Sequence, residues 1–345
     1  MRQTNHRHKV PESKGPHWSF SVAGYVAAIL CAVGVYKVLI AFHAPHIKNL
    51  VGITDRIIQG KPDWLAQQNR LLGPYLVLLI SKLNVSFSVA WMIFTGLWLA
   101  IESALLFYVL RKQDQTPIES IKFVVIFWFV FLMLQDFWLY TWDGIDLIIF
   151  TLFAYGIIKE KSTAFHLTLF SVAILNRESA LFIAAYILMS AFKFTVRPPS
   201  LKLVDGSKLL LGGLLLVGGA LYTQYVRRLL FVSTWDGRPD VEHQLVGNHL
   251  RLLENLRSIF VDYLGSGALP IFIVVVLATA FFLSRIRSFQ DGELKCLLIL
   301  FVMLLNTMIF GLFQETRLFF ILLPFALFLS IGAMRHDLPD SSEHG

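Results

Sequence analysis

Residues 20–42 form an apolar run of about 23 residues, long enough to cross about 30 Å of hydrocarbon. Runs of the same kind recur as far as residue 334. Such a chain has few architectures open to it. In lipid each backbone amide must find a partner inside the protein, and a helix supplies that partner within its own segment. The first run exceeds the roughly 7–15 residues of a signal-peptide core, so it reads as an uncleaved transmembrane helix. Composition agrees: 56% of the 345 residues are hydrophobic and 15% are charged, against about a quarter charged in a soluble domain. The chain is expected to be an integral membrane protein.

The expected fold is all-α, a polytopic transmembrane bundle of about ten spans. Residues 1–18 form a basic cytoplasmic tail, 19–334 the transmembrane domain, and 335–345 a second cytoplasmic tail. Spans are expected near 20–42, 87–110, 123–140, 145–158, 163–175, 180–192, 209–226, 269–283, 296–313 and 318–334. The first outer loop, 43–86, holds an apolar stretch at 71–83, about 13 residues and too short to span. It reads as a juxtamembrane helix. The long outer loop, 227–268, carries Leu250, Leu253, Leu256, Phe260 and Leu264 at helical spacing, which predicts an amphipathic surface helix. With this topology Arg111, Lys112, Lys122, Lys159, Lys161, Lys193 and Lys208 all fall on the inner side, as the positive-inside rule requires. Making 71–83 a span would break that order.

The formal charge of +7 is therefore an orientation signal, and no nucleic-acid partner is expected. The 2 cysteines, Cys31 and Cys296, lie in or beside apolar runs, so neither a disulfide nor a zinc cluster is expected. His243, Asn248 and His249 lack metal-ligand spacing.

The unusual polar residues gather on the outer side: Asp55-Arg56, Asp63, Asn69-Arg70, Trp142-Asp143, Asp146, Asn176-Arg177-Glu178, Trp235-Asp236 and Gln314-Glu315-Thr316-Arg317. Ionisable groups near lipid are costly and face a polar cavity or a partner. Bland readings stand beside this one. Arg177-Glu178 and Glu315-Thr316-Arg317 also read as ion pairs fastening hairpins, as readily as chemistry for Glu178 and less readily for Arg317, whose fork suits a phosphate. Asp146 reads as a helix cap. Trp142 and Trp235 are aromatic-belt positions first. Arg227-Arg228 reads as snorkelling to headgroups in preference to binding phosphate. His166 and Lys37 read as buried or snorkelling residues, and Glu102, within the second span, has no assigned role.

Several short stretches carry a family likeness: Asp55, Lys61-Pro62-Asp63-Trp64-Leu65, Asn69-Arg70-Leu71-Leu72-Gly73-Pro74-Tyr75, the hairpin 173–183 (AILNRESALFI) and the hairpin 314–325 (QETRLFFILLPF). In these the chain resembles the GT-C superfamily of polytopic glycosyltransferases, specifically the members related to protein O-mannosyltransferases and lipid A aminoarabinose transferases. The resemblance implies a polyprenyl-phosphate-sugar donor and an inverting transfer to a glycan, lipid or protein acceptor. It places the site on the extracytoplasmic side of a bacterial inner or plasma membrane. It also implies a carboxylate general base, Asp55 with Asp63 as fallback. Arg70, Arg177 and Arg317 would hold the donor phosphate, with Glu178, Glu315 and Asp143 supporting them. The family's acidic pair is Asp55-Arg56 here, which leaves a single carboxylate and the need for a divalent metal open. A transporter or flippase of a lipid-linked sugar, and a surface-polysaccharide polymerase or ligase, are the competing readings.

Overall fold

The computed structural model describes residues 17–196, 199–237, 250–262, 268–313 and 315–335. Most of both expected tails, Arg197-Pro198, Gln314, and the part of the long loop holding His243, Asn248 and His249 lie outside the described residues.

The chain runs through α1 (His17–His43), α2 (Ile47–Ile58), a 3-10 turn (Leu65–Asn69), α3 (Leu72–Ser81), α4 (Phe87–Arg111) and α5 (Pro117–Met133). Next come α6 (Thr141–Ile158), α7 (Thr163–Ala173), a short turn Glu178–Ala180, α8 (Leu181–Met189), β1 (Phe192–Val196), β2 (Pro199–Leu203) and α9 (Gly206–Leu230). The chain ends with α10 (Leu252–Phe260), α11 (Ala268–Ser284), α12 (Asp291–Phe310), a 3-10 segment (Thr316–Leu322) and α13 (Leu323–Arg335).

Among the described residues, six helical stretches are long and apolar enough to cross a membrane: Ser21–His43, Phe87–Arg111, Thr141–Ile158, Gly206–Leu230, Asp291–Phe310 and Thr316–Met334. This is a helical, multi-pass membrane bundle. The expectation of about ten spans is not matched by ten such helices. α7, with 11 residues, and α8, with 9, stop on either side of the polar turn at 176–178. At about 1.5 Å per residue, neither reaches across the hydrocarbon alone. The span expected at 123–140 is displaced. A capping box at Thr116 and Glu119, with Pro117 at the first position, starts α5 early. The helix then ends at Met133 and leaves 134–140 irregular. Two elements were not expected. β1 and β2 make an antiparallel hairpin (Phe192 opposite Leu203) inside the basic link. α2 runs through what reads as loop; Leu50, Ile53, Thr54 and Ile57 form its buried stripe. The apolar stretch at 71–83 forms the short helix α3, with 10 residues.

α6 is the axis of the bundle. It is buried over most of its surface, with Ile148 and Leu152 on a half-buried face, and packs against α3, α4, α7, α12 and α13. α1 and α9 lie at the periphery, each burying 22% of its spanning window. Glu102 on α4 is fully buried and accepts a hydrogen bond from Thr151 of α6 at 2.6 Å. His166 is buried, 3.0 Å from the Ser162 carbonyl and against the Tyr186 ring.

α3 reaches the start of α6 because Gly73 has no side chain. A Cβ there would lie 2.8 Å from the Thr141 carbonyl carbon and 2.9 Å from its oxygen. Gly73→Ala is expected to cost about 1–3 kcal/mol, the usual penalty of overpacking. It would also push Arg70 off α6. A melting temperature equal to wild type in detergent would show that this contact yields.

Candidate functional site

Four chain segments meet at the N-terminal end of α6. The first is the turn after Leu65–Asn69. Leu71 and Leu72 both donate their amides to the Leu175 carbonyl, at 3.0 and 3.1 Å, which fixes Arg70 beside the 176–178 turn. The second is the approach to α6. The Asp143 carboxylate accepts from the Tyr140 amide at 3.0 Å, capping the helix. The third is the 176–178 turn itself. Asn176 donates to the Trp142 carbonyl at 2.9 Å and to Asp146 at 2.7 Å. The fourth is the segment before α13, where the Thr316 hydroxyl donates to the Leu134 carbonyl at 2.6 Å and so positions Arg317.

Tyr140 is extended and caps α6, whose first turn holds Trp142. Tyr140 stacks on Trp142 with ring centroids 4.3 Å apart. The guanidinium of Arg70 lies 4.8 Å from the Trp142 ring and that of Arg317 lies 4.5 Å from the Tyr140 ring. Each such contact adds about 0.5–2 kcal/mol, the more so where water is excluded.

Carboxylates hold the arginines in pairs. Asp143 lies 3.7 Å from Arg177 and 3.9 Å from Arg317. Glu178 lies 3.8 Å from Arg70 and 3.4 Å from Arg227. Asn69 joins the second pair, donating to Glu178 at 3.1 Å and accepting from Arg227 Nε at 3.3 Å. Arg177 also approaches Asp146 at 3.6 Å, while Arg317 approaches Asp136 at 3.8 Å and donates to Glu315 at 2.9 Å. Except for the bonds to Glu315 and Asn69, these arginine contacts are longer than hydrogen bonds. Arg70 Nε, Arg317 Nε and Nη1, and Trp142 Nε1 are buried without a hydrogen-bond acceptor. Buried donors of this kind call for an explanation, and an anionic ligand is one that suits a guanidinium.

The electrostatics follow from that crowding. Burial lowers the Arg70 pKa to about 10, as do the like charges of Arg177 and Arg317, against the pull of Glu178 and Asp143. Burial pushes Glu178 up, but Arg70, Arg227 and Arg177 outweigh it and hold its carboxyl at about 2. Burial raises the Tyr140 hydroxyl to about 12 and raises Asp136 despite the bond from the Trp138 amide.

The structure brings Arg70, Arg177, Arg317, Asp143, Glu178 and Glu315 together. It adds Arg227, Tyr140, Asn176 and Asp136. Arg227 does not follow the snorkelling expectation: its side chain turns inward to Asn69 and Glu178. Asp146 is not a cap, because it lies one turn inside α6, fully buried beneath Asn176 and Ser179.

Asp55 and Asp63 sit elsewhere. Asp63 is held by Arg56 at 2.9 Å, and Arg56 stacks over the Trp235 ring at 5.2 Å. Asp55, half-buried on the last turn of α2, accepts from Gln59 at 2.6 Å. It lines a cleft of about 610 Å³ with Lys48, Phe87 and Ser88 on its walls. Among the described residues no ion pair or hydrogen bond joins Asp55 to the arginines.

Among the described residues no group of three or more His, Cys, Asp and Glu side chains is arranged to hold a metal ion. Asp143 and Asp146 are both engaged by Arg177, which makes them poor metal ligands. Comparison with known proteins finds no matching family model, no similar curated protein and no similar solved structure.

Proposed function

We propose that this protein is a membrane glycosyltransferase that moves a sugar from a polyprenyl-phosphate donor to a hydroxyl of a glycan, lipid or protein acceptor. The observation that carries this reading is the set of arginines fixed on a buried aromatic stack at one end of the bundle, with guanidinium N–H groups left unbonded. Fixed positive charge with donors already oriented stabilises a leaving phosphate without reorganisation. The arginine fork matches phosphate oxygens. The motif likeness to the GT-C superfamily adds the sugar and the lipid carrier.

In the transfer, the acceptor oxygen forms a bond to the anomeric carbon while the bond from that carbon to the phosphate oxygen breaks. The electron pair leaves with polyprenyl phosphate, held by Arg317, Arg177 and Arg70. The acceptor's proton passes to a carboxylate. Asp55 is the proposed base on the motif likeness, which requires the sugar to extend from the arginines to the separate cleft that Asp55 lines. Asp63 is the weaker candidate because Arg56 holds it. The reading places this end of the bundle on the extracytoplasmic side of a bacterial membrane, with about ten membrane passes and both termini cytoplasmic.

The test incubates purified protein with labelled polyprenyl-phosphate sugars and candidate acceptors. Release of polyprenyl phosphate together with a glycosylated product is the expected result; a lipid-linked sugar that only changes leaflet in proteoliposomes would favour the flippase instead. Asp55→Asn is expected to lower turnover by about a hundredfold or more, in the range of general-base removal, with the fold retained. Full activity in that variant would remove Asp55 from the chemistry.

A further inference from the structure

Each of the two bridging carboxylates shares its charge between two guanidinium groups, and they differ in depth. The Asp143 side chain is 3% exposed, between Arg177 and Arg317. The Glu178 side chain is 37% exposed, between Arg70 and Arg227. A phosphate presents its oxygens to a pair of guanidiniums much as a carboxylate does. The Glu178 contacts to arginine, at 3.4 and 3.8 Å, are ion pairs rather than good hydrogen bonds. A phosphate oxygen replacing this carboxylate would gain direct N–H···O bonds and take over the ion pairs and the Asn69 bond that Glu178 gives up. The exposure of Glu178 gives it room to swing aside. Asn69, buried and bonded to both Glu178 and Arg227, keeps an amide donor pointed at the same spot.

We infer that Arg227, Arg70 and Asn69 form a second phosphate subsite, shallower than the one between Arg177 and Arg317, with Glu178 as its exchangeable occupant. This rests on the donor-binding reading above and deepens it: the site takes two phosphoryl groups at once. The second group is either the outer phosphate of a diphosphate-linked lipid or a phosphate carried by the acceptor. The subsites adjoin, because Arg70 stacks on Trp142, Trp142 stacks on Tyr140, and Tyr140 carries Arg317. Arg177 and Glu178 are chain neighbours, each in a different pair.

The experiment measures binding of a polyprenyl monophosphate, the matching diphosphate, and inorganic phosphate added to the monophosphate complex, by native mass spectrometry of the intact protein in detergent. At least tenfold tighter binding of the diphosphate, collapsing to the monophosphate value in Arg227→Gln, establishes the subsite and assigns it to the carrier lipid. Equal binding of the two lipids, with inorganic phosphate adding to the monophosphate complex in wild type and not in Arg227→Gln, establishes it and assigns it to the acceptor. Equal lipid binding with no added phosphate overturns the inference and leaves the transferase reading standing. Failure of either lipid to bind overturns both. Where Arg227→Gln fails to fold, Arg227→Lys takes its place, with the same outcomes read.

Discussion

Arg317→Lys is expected to cut sugar transfer by about a hundredfold or more, as when one fixed donor to a developing anion is removed, while the protein stays folded. The charge survives the substitution, so any loss comes from geometry. Arg317 lies over the Tyr140 ring at 4.5 Å, spends Nη2 on Glu315 at 2.9 Å, and keeps Nε and Nη1 buried with no acceptor. A planar fork does three things at once there: it stacks, it pairs with Glu315 and it offers two further N–H groups. A lysine ammonium is a compact point charge on a flexible stem and meets one of those demands. Because a leaving phosphate gains negative charge as the sugar departs, the loss should fall on kcat more than on KM. Arg317→Gln, which removes the charge as well, should be worse. Near wild-type turnover in Arg317→Lys, in protein whose melting temperature is unchanged, would show that Arg317 contributes only its charge or only its packing.

The arginine gathering was legible in the sequence to the extent that each polar group ends an apolar run. Arg70, Arg177 and Arg317 each sit at such a boundary, and a chain with so little polar surface has one end of the bundle at which to collect them. What stayed hidden depends on rotation about a helix axis. Arg227 and Arg228 are adjacent on the last turn of α9, and sequence alone does not say which of them faces inward. A signal existed: Gly212, Gly219, Thr223 and Val226 are the residues α9 buries, and Arg227 continues that face one turn beyond Thr223. The place of Asp146 is hidden for a similar reason. Asp143 is the residue at capping distance from the start of α6, and Asp146, one turn deeper, has no free amide to cap. The α2 stretch reads as loop in the sequence because its charged residues, Asp55 and Arg56, hide a regular buried stripe.

Asp146→Ala is expected to be the most destabilising single change at this site, by about 3–5 kcal/mol, the cost of removing one partner from a buried ion pair. Asp146 has no solvent exposure. It receives the Asn176 amide at 2.7 Å and the Ser179 hydroxyl at 3.3 Å, and faces Arg177 at 3.6 Å. Alanine takes an acceptor from all three; Asn176 keeps the Trp142 carbonyl and Arg177 keeps Asp143, while the buried Ser179 hydroxyl loses its acceptor. Each lost acceptor carries a desolvation penalty. Asp146→Asn separates the charge from the hydrogen bonds. Its side-chain oxygen still accepts from Asn176 while Arg177 loses a counter-ion, so a smaller loss of about 1–3 kcal/mol follows. Asn176→Ala breaks the same lock from the other side and also frees the Trp142 carbonyl, so combining it with Asp146→Ala should cost less than the sum of the two. Thermal unfolding in detergent measures all four proteins. A loss below about 1 kcal/mol for Asp146→Ala, within the range of an ordinary surface change, would show that Arg177 is fixed by Asp143 alone. If the lock is real, the folded fraction of Asp146→Ala should still transfer sugar slowly, because the turn that aims Arg177 at the phosphate is no longer tied to α6.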